Sequence, residues 1–149
     1  MPDATGPVLD QCNIVVKDMA AMVEFYERLG CPIARSEPPW DRHHRTVSSG
    51  GGLDFDLDSE AFASQWNSGH PAGKTGPVIG FRVADRDAVD TTYSKLTGAG
   101  YTGEQPPYDA FWGARYAVVI DPDGNHVGLM SPIDDAHKYW PPEPAPTVS

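Results

Sequence analysis

The sequence predicts an α+β fold made of two tandem β-α-β-β-β modules. Three observations carry that prediction. Val16 and Val83, Asp18 and Asp85, Tyr26 and Tyr93, and Leu29 and Leu96 all recur at one common offset, the mark of an internal repeat. SEPPWD at 36–41 is echoed by GEQPPYD at 103–109. Each copy also ends in a β-prone run, GLDFDLDS at 52–59 and HVGLMS at 126–131.

The elements follow in order. Each copy opens on a β-run, Leu9–Val16 and Val78–Val83. Asp18 and Asp85 come next, and an Asp there can cap a helix by accepting from its first free N–H groups. Met19, Met22, Val23, Tyr26 and Leu29 then make one apolar helical stripe, closed by Gly30. The second stripe, Val89, Tyr93 and Leu96 before Gly98 or Gly100, is thinner. That helix must draw more of its stability from packing. Three strands should follow in each copy. In the first they are Pro32–Ser36, Arg45–Ser48 and Leu53–Asp58. In the second they are Tyr101–Glu104, Arg115–Ile120 and His126–Ser131, the last pair joined by DPDGN at 121–125, whose Pro and Gly suit a tight turn. Residues 60–76 read as a Ser/Gly/Pro-rich linker, with Trp66 placed to cover a pocket, and residues 134–149 as a Pro-rich tail, disordered over WPPEPAPTVS at 140–149.

Composition narrows the function. The chain carries a formal charge of −10 with pI near 4.7 and scattered basic residues, which argues against nucleic acid as a partner. No run approaches the roughly 18 apolar residues of a membrane helix. The opening residues show neither a basic nor an apolar signal region, so a cytoplasmic protein is expected. Cys12 and Cys31 are the only cysteines and form no CxxC; reduced thiols are expected. No P-loop, dinucleotide fingerprint or nucleophile elbow is present.

Alternation in the strands selects the candidate site. Phe55 and Leu57 alternate with Asp54, Asp56 and Asp58, and Cys12, Ile14 and Val16 alternate with Gln11, Asn13 and Val15. In the last strand Val127 and Leu129 alternate with His126, Gly128 and Met130. The faces turned from the helices therefore share Gln11, Asn13, Asp54, Asp56 and His126. If the sheet curls, these groups converge on a cavity; a solvated strand face is the alternative. Trp40, Tyr108, Phe111, Trp112 and Tyr116 cluster after the Pro-Pro turns, where rings can wall a pocket, stack planar ligands and attract cations. A dimer seam or core is the alternative. Arg115 could take an anionic ligand group or pair with an aspartate. His43 and His44 fall in a loop and are expected to be exposed. Cys12 faces the helix and should be inert.

FYERLG at 25–30, the repeated V-x-D and DPDGNHVGL at 121–129 resemble the vicinal oxygen chelate superfamily of glyoxalases, bleomycin-resistance proteins and extradiol dioxygenases. The resemblance covers about residues 8–133: one module about 8–59, the linker 60–76, a second module about 77–133. It implies a curved eight-stranded sheet with helices outside, and a homodimer. The family's metal positions fall at Gln11, Asp56, Val78 and Gly128, and the last two offer no donor atom. The resemblance therefore implies a protein that binds a small aromatic or cationic molecule in a concave groove, without metal or other cofactor. The ligand set would be Gln11, Asn13, Trp40, Asp54, Asp56, Tyr108, Trp112, Arg115, Tyr116 and His126. No catalytic residue is assigned. The alternative is a glyoxalase I-like lyase or isomerase using divalent Ni, Zn, Mn or Fe on Gln11, Asp56 and His126. Ring-cleaving dioxygenase chemistry needs a His-His-carboxylate iron site that these positions do not supply.

Overall fold

The computed structural model describes residues 6–139. Trp140 and the Pro-rich residues after it lie outside the described residues. The chain forms two compact units, residues 10–78 and residues 79–139 together with 6–9.

The unit at 10–78 is built on β1 (Val8–Val16), α1 (Met19–Leu29), β2 (His44–Val47) and β3 (Asp54–Ser59). The strand order is β2-β3-β1. β1 runs parallel to β3 and β2 antiparallel to it. A parallel pair needs a crossover, and α1 supplies it. Both of its ends form as the sequence predicts. The Asp18 carboxylate accepts from Ala21 N at 3.1 Å, and Gly30 ends the helix at φ 110°, the left-handed conformation glycine tolerates. The apolar stripe packs Met19, Met22, Val23 and Tyr26 onto Ile14, Val16, Phe55 and Leu57. Each fully buried aliphatic side chain contributes roughly 1.5–3 kcal/mol.

Two expectations need correction in this unit. The strand expected over Pro32–Ser36 is absent: Ile33 makes a single bridge to Val47. Pro32 has no N–H to give a ladder, and Ala34 O is taken by the Arg45 guanidinium at 2.9 Å. Three strands therefore form here, and seven rather than eight among the described residues. The expected linker also begins with a helix, α2 (Glu60–Trp66), capped by Ser59 and burying Phe62, Ala63 and Trp66. Trp66 is a core residue of its own helix.

The second unit holds β4 (Gly76–Arg82), α3 (Arg86–Gly98), β5 (Thr102–Asp109), β6 (Arg115–Ile120) and β7 (His126–Met130), in strand order β4-β7-β6-β5. Asp85 caps α3 through Ala88 N at 2.8 Å. Val89, Tyr93 and Leu96 of α3 pack with Val83, Ala117, Val119, Val127 and Leu129. The predicted turn forms, with Asp121 Oδ1 accepting from the N–H groups of Asp123 and Asn125 at 3.0 and 2.8 Å. β5 is longer than predicted: Pro106 and Pro107 lie inside it, across two register shifts. An edge strand tolerates the missing N–H groups and the bulges. Residues 134–139, where the Pro-rich tail begins, are tied to this unit. Tyr139 N donates to Phe111 O at 2.8 Å, and Asp135–His137 form a turn of 3-10 helix.

Candidate functional site: a polar sheet face and an aromatic one

Cross-strand register fixes which side chains share a face. In the first unit Gln11, Asn13 and Val15 lie opposite Asp54, Asp56 and Asp58 on β3. Across the other edge of β3, Thr46 lies opposite Asp56 and His44 opposite Asp58. The alternate residues pack on α1, so this row is turned from the helix. The predicted set Gln11, Asn13, Asp54 and Asp56 is thus on one face, and the structure adds His44, Thr46 and Asp58 to it.

These groups are wired to one another. Asp58 is 1% exposed. Its Oδ1 lies 2.6 Å from His44 Nδ1, and its Oδ2 accepts from Asn13 Nδ2 at 2.9 Å. Thr46 Oγ1 donates to Asp56 Oδ1 at 2.7 Å. A carboxylate removed from water must be compensated by such bonds. Burial lowers the pKa of His44, but the hydrogen bond and charge of Asp58, with the charge of Asp56, outweigh it and leave the pKa raised. Asp56 is also raised, first by burial and then by its neighbours Asp58 and Asp54, against the opposing effect of His44 and Thr46. Cys12, on the helix side, is raised by burial and by Asp56, so its thiol is a poor nucleophile.

In the second unit Tyr116 lies opposite both Tyr108 and Met130, and Val118 opposite Gly128. Trp112 Nε1 donates to Met130 Sδ at 3.1 Å, and its ring meets Tyr116 edge-on at 5.1 Å. Tyr108 meets Tyr116 at 6.3 Å. Tyr108, Trp112 and Tyr116 therefore form one aromatic wall on the face turned from α3. Burial, with Tyr116 and Tyr139 nearby, pushes the Tyr108 phenol up, so it stays a neutral hydroxyl.

Several predicted residues sit elsewhere. Arg115 projects toward α3, held by Asp90 at 3.0 Å and Asp109 at 3.1 Å, so the aspartate pairing is what forms. Arg86 also pairs with Asp109. Together the two cations hold the Asp109 carboxyl below its usual range. Trp40 packs edge-on against Phe62 at 5.3 Å in the first unit. Phe111 is core, 4% exposed. His126 is buried: its side chain is 6% exposed, with Nδ1 2.6 Å from Glu104 Oε1. Of the two histidines expected in a loop, His44 is half-buried on β2 and His43 is buried. His43 is 3% exposed, its Nδ1 2.7 Å from Ser59 Oγ, and its pKa is lowered by burial and by Arg42 against Asp41. His43 borders an open cleft of about 1160 Å³ at the start of α1, lined also by Lys17, Asp18, Arg42 and Glu60. None of the predicted ligand residues lines it.

Comparison with known proteins decides the family. A family model described as "Glyoxalase/Bleomycin resistance protein/Dioxygenase superfamily" matches residues 8–129. The chain belongs to this superfamily. An uncharacterised protein of Mycobacterium bovis is 25% identical over 128 residues, covering 84% of each chain. Among solved structures, methylmalonyl-CoA epimerase from Mycobacterium tuberculosis aligns with TM-score 0.58 at 19% identity over 91% of this chain and 95% of its own. A superfamily member from Vibrio splendidus aligns with TM-score 0.56 at 13% identity over 85% and 99%. At these identities the structures speak for the fold alone.

Some members of the superfamily hold a divalent metal, and the residues here do not fit one. Val78 is a buried hydrophobe, 3% exposed. At Gly128 a β-carbon would stand 2.8 Å from Tyr116 Oη, so the phenol already fills the space a ligand side chain would need. His126, offered as a substitute ligand, faces Glu104. Among the described residues no group of three His, Cys, Asp or Glu side chains could hold a metal ion. Of the family's four metal positions only Gln11 and Asp56 carry donors, short of the three or more that a protein site supplies.

His44 and the burial of Asp58 escaped the sequence for different reasons. Asp58 was visible as part of an alternating row, but nothing local said that it is buried. His44 looked like a loop residue because β2 starts on it. The pairing that puts it opposite Asp58 is between strands and is not encoded by local spacing.

Proposed function

We propose that this chain is a small-molecule-binding member of the glyoxalase/bleomycin-resistance superfamily that works without the metal centre. The carrying observation is the Tyr116 hydroxyl standing where a side chain at 128 would go. The aromatic wall of Tyr108, Trp112 and Tyr116 supports an aromatic ligand through stacking, and the Asp54–Asp56 row supports a cationic one through charge. Affinity comes from apolar burial, and polar groups set orientation. The protein would act as a cytoplasmic homodimer with no nucleic acid or membrane partner. Among the described residues no helix is long and apolar enough to cross a membrane.

The test has two arms. Purified protein incubated with Ni, Zn, Mn or Fe and desalted should hold well under one equivalent by elemental analysis. Titration with planar aromatic cations should quench Trp fluorescence, and Trp112→Phe should reduce the quenching. Stoichiometric metal would replace this reading with that of a metal-dependent glyoxalase-like lyase. No quenching across the panel would remove the ligand class.

A further inference from the structure

The parallel strands of residues 10–78 end on a cleft. β1 and β3 stop level with each other, Val16 opposite Ser59, and α1 and α2 start from those two ends. The open cleft of about 1160 Å³ lies there, lined by both helix starts together with Lys17, Arg42 and His43. Crevices outside the carboxyl ends of parallel strands are where open sheets commonly take ligands. The volume is ample for a small molecule, whose sites run to roughly 1,000 Å³.

His43 sets the polarity of this cleft. Ser59 Oγ accepts from Phe62 N at 3.1 Å and lies 2.7 Å from His43 Nδ1. Among the described residues that Nδ1 is the acceptor for the hydroxyl proton. Nδ1 therefore holds the lone pair, and Nε2 carries the ring proton. The ring stays neutral, because burial and then the Arg42 charge lower its pKa against the effect of Asp41. His43 is buried, and its Nε2 has no partner among the described residues. A buried donor without an acceptor is a costly arrangement. The cleft that His43 lines is where an acceptor can enter.

Charge selects that acceptor. The two carboxylates of the cleft are engaged with backbone donors, Glu60 with Gly73 N and Asp18 with Ala21 N. Lys17 and Arg42 are exposed and have no ion pair or hydrogen bond among the described residues. A guanidinium presents paired N–H groups that match a carboxylate. The first N–H groups of α1, at Met19 and Ala20, have no acceptor within the helix. Two cations balance two carboxylates here, so one added negative charge is tolerated better than two.

We propose that this cleft binds the carboxylate of a small monoanionic organic acid, with Lys17 and Arg42 supplying the charge and the His43 Nε2–H group the fixed donor. The site is additional to the polar row and the aromatic wall, and no bond is made or broken in it.

The experiment titrates the full chain with benzoate and follows it by proton–nitrogen NMR, imidazole nitrogens included. Free wild type should show the His43 ring proton on Nε2. Benzoate should saturate in the millimolar range and shift that Nε2–H signal together with the amides of Met19 and Ala20. Lys17→Gln and Arg42→Gln change exposed side chains, so both should fold. Each should weaken binding about tenfold, the scale of one hydrogen bond to a charged group. Inorganic phosphate and benzylammonium should both bind more weakly than benzoate. A free-chain ring proton on Nδ1, no saturation, shifts confined to residues outside the cleft, or undiminished binding by both glutamine variants overturns the proposal. Tighter binding of phosphate or of benzylammonium overturns the assignment of a monoanionic carboxylate.

Discussion

Asp58 shows how much one side chain can be asked to do. It has no surface of its own and satisfies two donors on neighbouring strands, Asn13 on β1 and His44 on β2. Asp58→Ala strands both, and breaking a buried pair this way costs about 3 kcal/mol, measurable as a lower urea midpoint at unchanged slope. His44 also carries a pH signature. Its folded pKa is raised, so its contribution to stability is fully present below the ordinary histidine value and is lost as pH climbs through the raised one. Urea midpoints should therefore fall as pH rises above the ordinary histidine value of about 6.5, and His44→Gln should flatten that fall. Asp56 is raised too. The same sign applies one range lower: the charge that forms as pH rises through its folded pKa costs the fold. Asp56→Asn keeps the amide oxygen for Thr46 and removes that acid-range slope.

Helices and strands have their own tests. The starts of α1 and α3 each hang on an aspartate, Asp18 and Asp85. Asp→Ala at either costs about 1 kcal/mol, read by thermal unfolding. The packing of α3 on β5 depends on Gly103, where a β-carbon would stand 2.0 Å from Tyr93 Oη and 2.6 Å from its Cζ. Gly103→Ala forces the ring itself to move, costing about 1–3 kcal/mol as overpacking does. Most of this level was legible. The apolar stripe of α1, both caps, the DPDGN turn and the inward set of β7 all follow from local spacing. The failures are informative. Pro32–Ser36 had the composition of a strand but has one bridge, because a ladder needs a partner and an N–H at each step. Pro106 and Pro107 looked like a turn but lie in β5, because an edge strand with bulges leaves their missing donors outside the ladder.

For the molecule as a whole, the charge of −10 is a general repulsion felt by every acidic group. Screening shortens its range from about 30 Å at 0.01 M salt to about 8 Å at 0.15 M. The unfolding temperature should therefore rise with NaCl across that interval, seen by differential scanning calorimetry. The superfamily assignment was within reach of the sequence because the repeat, FYERLG and DPDGN are local strings. The eighth strand, read from the composition of Pro32–Ser36, does not form among the described residues.

By itself the sequence determined what depends on near neighbours: the duplicated pattern, where helices start, which strand faces are apolar, and that positions 78 and 128 bring no donor. Only the tertiary structure decided what depends on chain segments meeting. It put His44 on Asp58, turned Arg115 toward Asp90, buried His126 against Glu104 and laid the Tyr116 hydroxyl over Gly128. The reason is that periodicity reports which way a side chain points. The group it meets is set by strand register and by burial, and both arise from contacts far apart in the chain.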